Sequence, residues 1–294
     1  MNFNMVVQSI KKNLIHFFVI VISLIITSCA SPKNKSLAKI KGYELVWSDE
    51  FNENGSPNKN NWNYETGFIR NKEAQWYQKE NAVCKDGYLI IEAKNEVRLN
   101  PQFESYNHKD YRKKRDSIRV TSSCLITKDK QSWRYGRFEI RAKIPTEIGL
   151  WPAFWTLGLQ YNWPANGEID IMEFYKGKLL ANIAWEANQK WQPVWDSESY
   201  AIESFNNENW ANEFHTWRMN WDENNIKLYV DNQLLNAVDL TQTINGTNKI
   251  NPFHQPQYLL LNLAVGGING GDFSKTTFPA QFIIDYVRVY KKKV

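Results

Sequence analysis

From Tyr135 to Ile144 the chain alternates without a break. Phe138, Ile140, Ala142 and Ile144 fall on one side, and Arg137, Glu139, Arg141 and Lys143 on the other. A period of two marks a strand half-buried on a sheet. The same logic predicts further strands. Val83–Lys85 and Tyr88–Ala93 flank an Asp86-Gly87 turn, and Ile226–Val230 and Gln233–Val238 flank Asp231-Asn232. Gly149–Leu157, Tyr258–Val265 and Phe282–Tyr290 are apolar runs of strand length. Asn52–Asn61 is dense in Asn, Gly, Pro and Ser and reads as loop. Asn95–Arg119 is polar and lacks a period, which predicts a long excursion from the β framework, either a binding loop or a mobile one. No helical period of any length appears after the leader. These features predict an all-β domain over residues 43–294, an antiparallel β-sandwich or jelly roll.

The first 28 residues read differently. Lys11-Lys12 precede an apolar run from Leu14 to Ile26, too short for a comfortable membrane span and suited to the core of a signal peptide. Ile26-Thr27-Ser28-Cys29 follows, and small residues before a cysteine resemble the bacterial lipoprotein cleavage box. That resemblance implies export, lipidation at Cys29 and a soluble body tethered to the cell envelope, at the outer membrane or cell surface. Residues 29–42, polar and lysine-rich, read as the tether.

Composition sharpens the picture. The chain has 13 Trp, 14 Tyr and 15 Phe, more ring surface than a core of this size needs, and flat aromatic faces stack on the C–H faces of sugars. The formal charge of +5 includes Lys11 and Lys12 of the leader, leaving about +3 on the body. No long basic run interleaves with aromatics, so nucleic acid is excluded as a partner. Arg112–Arg115 is a local basic cluster, readable as an anion contact or as solvated surface. After Cys29 only Cys84 and Cys124 remain. Both fall in predicted strands that could be neighbours, so a disulfide and two buried thiols are both open. The four histidines are scattered and no Cys/His cluster has metal-ligand spacing.

The chemistry concentrates in Asn166–Phe174, with three carboxylates at Glu168, Asp170 and Glu173. On a strand Glu168 and Asp170 share a face, and the next residue on that face is Met172. One extra residue, a β-bulge near Ile171-Met172, would re-aim Glu173 onto the face of the other two. Three acids would then line one groove, with the outer two as the reacting pair and Asp170 holding a shared proton. Crowded carboxyls do not all ionise easily, which yields one anion and one neutral acid at neutral pH. A retaining glycosidase needs that pair, about 5–5.5 Å apart.

Several segments together resemble glycoside hydrolase family 16. They are Leu45–Asn52, Asn71–Tyr77, Tyr135–Lys143, Gly149–Gly158, Gly167–Glu173, Leu261–Gly267 and Asp285–Tyr290, in the family's order. They are most similar to the branch of laminarinases and mixed-linkage β-glucanases. The resemblance implies a concanavalin-like β-jelly roll with an open substrate cleft on the concave sheet, and retaining endo-hydrolysis of β-1,3 or β-1,3-1,4 glucan by a monomer. It implies Glu168 as nucleophile, Glu173 as general acid/base and Asp170 as the acid hydrogen-bonded between them. It places Trp155 and Trp163 at sugar subsites and Asn71 on the cleft rim. It implies no cofactor for catalysis and a structural calcium held by the backbone oxygens of Glu50 and Gly87 and the Asp285 carboxylate. One departure is Ala184, where laminarinases often carry a histidine; Trp185 is then expected to stack on the leaving sugar.

Three alternatives compete: a family-16 hydrolase of agarose, porphyran or carrageenan, a non-catalytic glucan-binding lipoprotein, and a transglycosylase. Sulfated substrates call for basic residues in the cleft. A protein that only binds would not need both glutamates.

Overall fold

The structure, a computed structural model, describes residues 39–293. The leader, Cys29 and most of the tether lie outside the described residues. Seventeen strands follow in order: β1 (Tyr43–Asp49), β2 (Asn63–Tyr64), β3 (Gln75–Tyr77), β4 (Ala82–Lys85), β5 (Tyr88–Leu99), β6 (Ser117–Ser122), β7 (Cys124–Ile126), β8 (Gly136–Lys143) and β9 (Leu150–Gly158). Then come β10 (Glu168–Tyr175), β11 (Lys178–Glu186), β12 (Pro193–Ala201), β13 (His215–Trp221), β14 (Asn225–Val230), β15 (Gln233–Asp239), β16 (Gln257–Val265) and β17 (Ala280–Lys292).

They form two sheets. One has ten strands, ordered β15-β14-β13-β8-β17-β5-β6-β3, with β1 added to β17 and β4 to β5; the other has seven, ordered β12-β11-β10-β9-β16-β7-β2. Every pairing is antiparallel except β3 with β6. The predicted turns are in place. Asp86 and Gly87 both take positive φ between β4 and β5, and Asp231 does so between β14 and β15. Such backbone suits a tight hairpin.

The alternation in β8 does what its pattern predicts. Phe138, Ile140 and Ala142 are fully buried, and they meet Phe154, Ile169, Ile183 and Leu261 of the seven-stranded sheet in one core. Each large apolar side chain buried there contributes about 1.5–3 kcal/mol. Truncating Phe154 to Ala would cost about 3–5 kcal/mol through lost contacts and the cavity left behind.

One expectation changes, and one open alternative is decided. The excursion is shorter than its sequence suggests, because β5 runs to Leu99 and β6 begins at Ser117. Its middle is ordered by Asn100, whose Nδ2 donates to the carbonyls of Arg112 at 2.8 Å and Arg115 at 2.7 Å. The cysteines do not pair: Cys84 packs in the core between the sheets, and Cys124 in a separate cluster with Tyr77, Trp155 and Leu260. β4 and β7 belong to different sheets, so the two thiols are not neighbours.

Candidate active site

The acidic strand β10 sits near the middle of the seven-stranded sheet, between β9 and β11. Gly167 delivers the chain into it at a φ of +75°, and a Cβ there would lie 2.9 Å from the Pro252 side chain. Along β9 the register pairs Asp170 with Trp155 and then Met172 with Phe154, so Ile171 is the extra residue. Along β11, Asp170 pairs with Asn182 and Glu173 with Leu180, three steps against two. The strand therefore carries the expected bulge. Its apolar side confirms the change of parity, since Ile169, Ile171, Met172 and Phe174 are all buried in the intersheet core. Two successive core-facing residues turn Glu173 outward, onto the face of Glu168 and Asp170.

That face floors a cleft of about 900 Å³, lined by all three acids, by Trp151, Trp155 and Trp163, and by Arg70, Asn71, Asn182, Trp195 and Asn262 among others. Each outer acid is held by an indole. Trp151 Nε1 donates to Glu173 Oε1 at 2.7 Å, and Trp163 Nε1 to Glu168 Oε2 at 2.6 Å. Asn182 Nδ2 donates to the second oxygen of Glu173 at 3.1 Å.

Burial raises all three carboxyls. Glu168 is pushed up to about 7, with the Trp163 bond and the charge of Arg70 opposing the shift. Glu173 is pushed up to about 8 by burial, against the bond from Trp151 and with the charge of Glu168 adding to it. Asp170 is raised well above its ordinary value by burial and by the charges of Glu168 and Glu173. Its interaction with Glu168 raises Asp170 and lowers Glu168, which favours the proton on Asp170. The arrangement contains an acceptor that ionises first, a proton kept between, and a second acid that stays protonated. Flanking one glycosidic bond, the outer two acids can attack its anomeric carbon and protonate its leaving oxygen.

The remaining predicted residues divide. Asn71 lines the cleft, donates to Glu73 Oε1 at 3.3 Å, and has a positive φ. Trp155 forms floor: it is 7% exposed, its Nε1 donates to Asn262 Oδ1 at 2.7 Å, and Arg70 lies 5.1 Å over its ring. Trp163 is 39% exposed and available to a ligand. Trp185 is not in the cleft. Asn182 faces Glu173, so Trp185, three residues on, points to the other face and packs against the intersheet core with Ile183. The aromatic that does face the cleft on this side is Trp195, on β12 opposite Ala184.

Sequence reasoning passed over Trp151, Asn182, Trp195 and Arg70. Parity would have found Asn182 had Lys178–Glu186 been read as a strand. Arg70 emerges only from the fold, as a partly buried guanidinium paired with Glu65, whose charge, against the effect of desolvation, holds its proton more tightly. Three members of the basic cluster have partners within the chain: Arg112 pairs with Asp110 at 2.8 Å, Lys113 pairs with Glu104, and Arg115 donates to the Lys72 carbonyl at 2.9 Å.

The positions predicted to hold calcium converge at a junction. β17 pairs with β5 as far as Ile284 opposite Leu89, and with β1 from Val287 opposite Asp49. Glu50, just after Asp49, and Gly87, two before Leu89, therefore flank Asp285. The Glu50 carboxylate accepts two bonds of 2.8 Å from Arg288. Arg141 donates to Asp285 Oδ2 at 2.6 Å. Main-chain oxygens and a carboxylate are hard donors of the kind calcium takes.

The family model for glycosyl hydrolases family 16 matches residues 70–288. The chain is 34% identical to a β-glucanase of Rhodothermus marinus, over 91% of this chain and 92% of that protein. It is 35% identical to glucan endo-1,3-beta-glucosidase A1 of Niallia circulans over 90% of this chain, and spans 40% of that longer protein. Among solved structures it is similar to a chain from work on endo-acting O-glycanases that human gut microbiota express to initiate mucin breakdown. There the TM-score is 0.78 at 33% identity, covering 87% of this chain and 93% of that one.

Proposed function

The chain belongs to family 16 of the glycosyl hydrolases, and from that premise we propose a retaining endo-glycosidase that cuts β-glucan at β-1,3 bonds, with or without β-1,4 bonds between them. The observation that carries this reading is the bulge at Ile171, which gathers Glu168, Asp170 and Glu173 on one wall of an open cleft. Ionised Glu168 attacks the anomeric carbon while protonated Glu173 gives its proton to the leaving oxygen. Glu173 then takes a proton from the water that releases the glycosyl-enzyme. Asp170 keeps its proton through both halves and steadies Glu168 as its charge comes and goes. The floor and rim side chains orient the polymer so that the scissile bond meets both acids.

The test is the anomer released first from laminarin and from barley-type mixed-linkage glucan, followed by NMR. A β-anomer supports double displacement. Near-normal hydrolysis by Glu168→Gln would overturn the assignment.

A second reading has one observation behind it, the TM-score of 0.78 to the O-glycanase work, alongside Ala184 where a laminarinase histidine is expected. Under it the same acids cut a β-linked O-glycan chain. Adding mucin O-glycans to the substrate panel separates the two. Sulfated algal galactans lose support, because none of residues 112–115 lines the cleft that holds the acids.

Export and a lipid tether at Cys29 rest on the leader's sequence. Cys29→Ser should release the activity from the membrane fraction. A calcium ion at Glu50, Gly87 and Asp285 would tie β1, β5 and β17 together, on the sheet that does not carry the cleft.

A further inference from the structure

The carboxylates stand at the centre of the seven-stranded sheet, but the cleft runs on to its edge. β12 is that edge, and along it the register sets Trp195 opposite Ala184, which is itself opposite Glu168. Ala184, between them, is fully buried. Trp195 is 43% exposed and Trp163 39%. Their centroids lie 6.4 Å apart with planes inclined at 49°, an open V of two indoles. One arm of the V is already tied to the chemistry, since Trp163 donates to Glu168 Oε2 at 2.6 Å.

The relation between the arms is fixed from beneath by one buried amide. Asn245, with no exposed surface, accepts from the Glu186 amide at 2.8 Å and donates to the Ala165 carbonyl at 2.8 Å. Glu186 ends the strand that carries β12, and Ala165 lies in the loop that carries Trp163. Glu186 in turn accepts from the Trp191 amide at 3.0 Å, in the turn leading to β12. Two rings on separate segments thus share one anchor.

We propose that Trp195 is a specificity-determining residue, forming with Trp163 a two-ring clamp for one pyranose unit on the β11–β12 side of the acids. The inference rests on the glycosidase reading above. A pyranose presents C–H groups on its faces and hydroxyls around its rim. Indole faces match the former, and Ser197 and Ser199, further along β12 in the same cleft, lie where hydroxyls would meet polar groups. The clamp holds the unit next to the one that Glu168 attacks, so its contribution appears only when the substrate extends past the reacting unit on that side. Asn245 acts as a positioning residue.

The test uses the full chain on whichever of laminarin, mixed-linkage glucan and mucin O-glycans the parent cleaves, with oligosaccharides of increasing length from that polymer. Trp195→Ala should raise KM about tenfold on the long substrates with kcat held, the signature of binding shared by ground and transition states. The loss should grow with length, and Trp195→Phe should recover most of it. Intrinsic fluorescence quenching of the parent by a long oligosaccharide should fall in Trp195→Ala. If the parent cleaves and Trp195→Ala matches it at every length, the clamp is wrong while the glycosidase reading stands. If the parent cleaves nothing on the panel, that reading falls and takes the clamp with it. An equal loss at every length would mean that Trp195 only supports the fold, which also overturns the proposal.

Discussion

Trp151 and Glu173 are joined across β9 and β10 by a 2.7 Å hydrogen bond from the indole Nε1 to Oε1. Trp163 makes the matching bond to Glu168 at 2.6 Å. Each reacting carboxyl therefore has its own tryptophan, and each tryptophan lowers the proton affinity of the acid it touches.

The pH profile should follow from this. Activity needs Glu168 ionised and Glu173 protonated, so kcat/KM should rise through about 7 and fall through about 8. Trp163→Phe removes a donor from ionised Glu168, raises its pKa and moves the acid limb to higher pH. Trp151→Phe does the same to Glu173 and moves the alkaline limb to higher pH. Profiles of kcat/KM on a soluble β-glucan check both directions. A limb that moved to lower pH would contradict the assignment.

Glu168→Gln and Glu173→Gln should each lower turnover by about three orders of magnitude or more while circular dichroism stays that of the parent. They should differ on an aryl glycoside whose leaving group needs no proton. Glu173→Gln should keep its glycosylation step there, and Glu168→Gln should lose it. The reverse pattern would exchange the two roles.

The same acids should cost stability. A carboxyl whose folded-state pKa is raised binds its proton more tightly folded than unfolded, so it favours the fold at low pH. For Glu173 that benefit is full below its ordinary 4.5 and lost as pH rises through about 8. Glu173→Gln carries no charge to bury. Its Tm should equal the parent's at pH near 4 and exceed it at pH near 8. Thermal scans across that window decide the point, and a gap that closed toward alkaline pH would refute it.

Chelation should probe the β1–β5–β17 junction. EDTA should lower the Tm, added calcium should restore it, and Asp285→Asn should blunt the response. An unmoved Tm on chelation would remove calcium from the account.

Much of the site was legible because the three acids break strand parity. Glu168, Asp170 and Glu173 cannot share a face on a regular strand, and burial of both Ile171 and Met172 is the cost of making them do so. β8 and the two hairpins were legible from clean alternation and positive-φ turns. β12 was not, since an edge strand with half-exposed residues on both faces has no apolar period to read. Trp185 was misplaced for a related reason: without Asn182 as a landmark, the parity of β11 was undetermined. The thiol pairing was also beyond reach, because two apolar-flanked cysteines look alike whether they pack in one sheet or two.

β12 has a neighbour on one side only, and none of its nine residues is fully buried. A ribbon so placed can exchange side chains without disturbing packing elsewhere. Central-strand acids admit no such freedom, since their charges are balanced against the surrounding interior. Descendants of this chain could thus acquire new chain-length preferences by drift along one margin while their reaction stayed fixed. Directed libraries confined to positions 195, 197 and 199 would sample that latitude with little risk of misfolding.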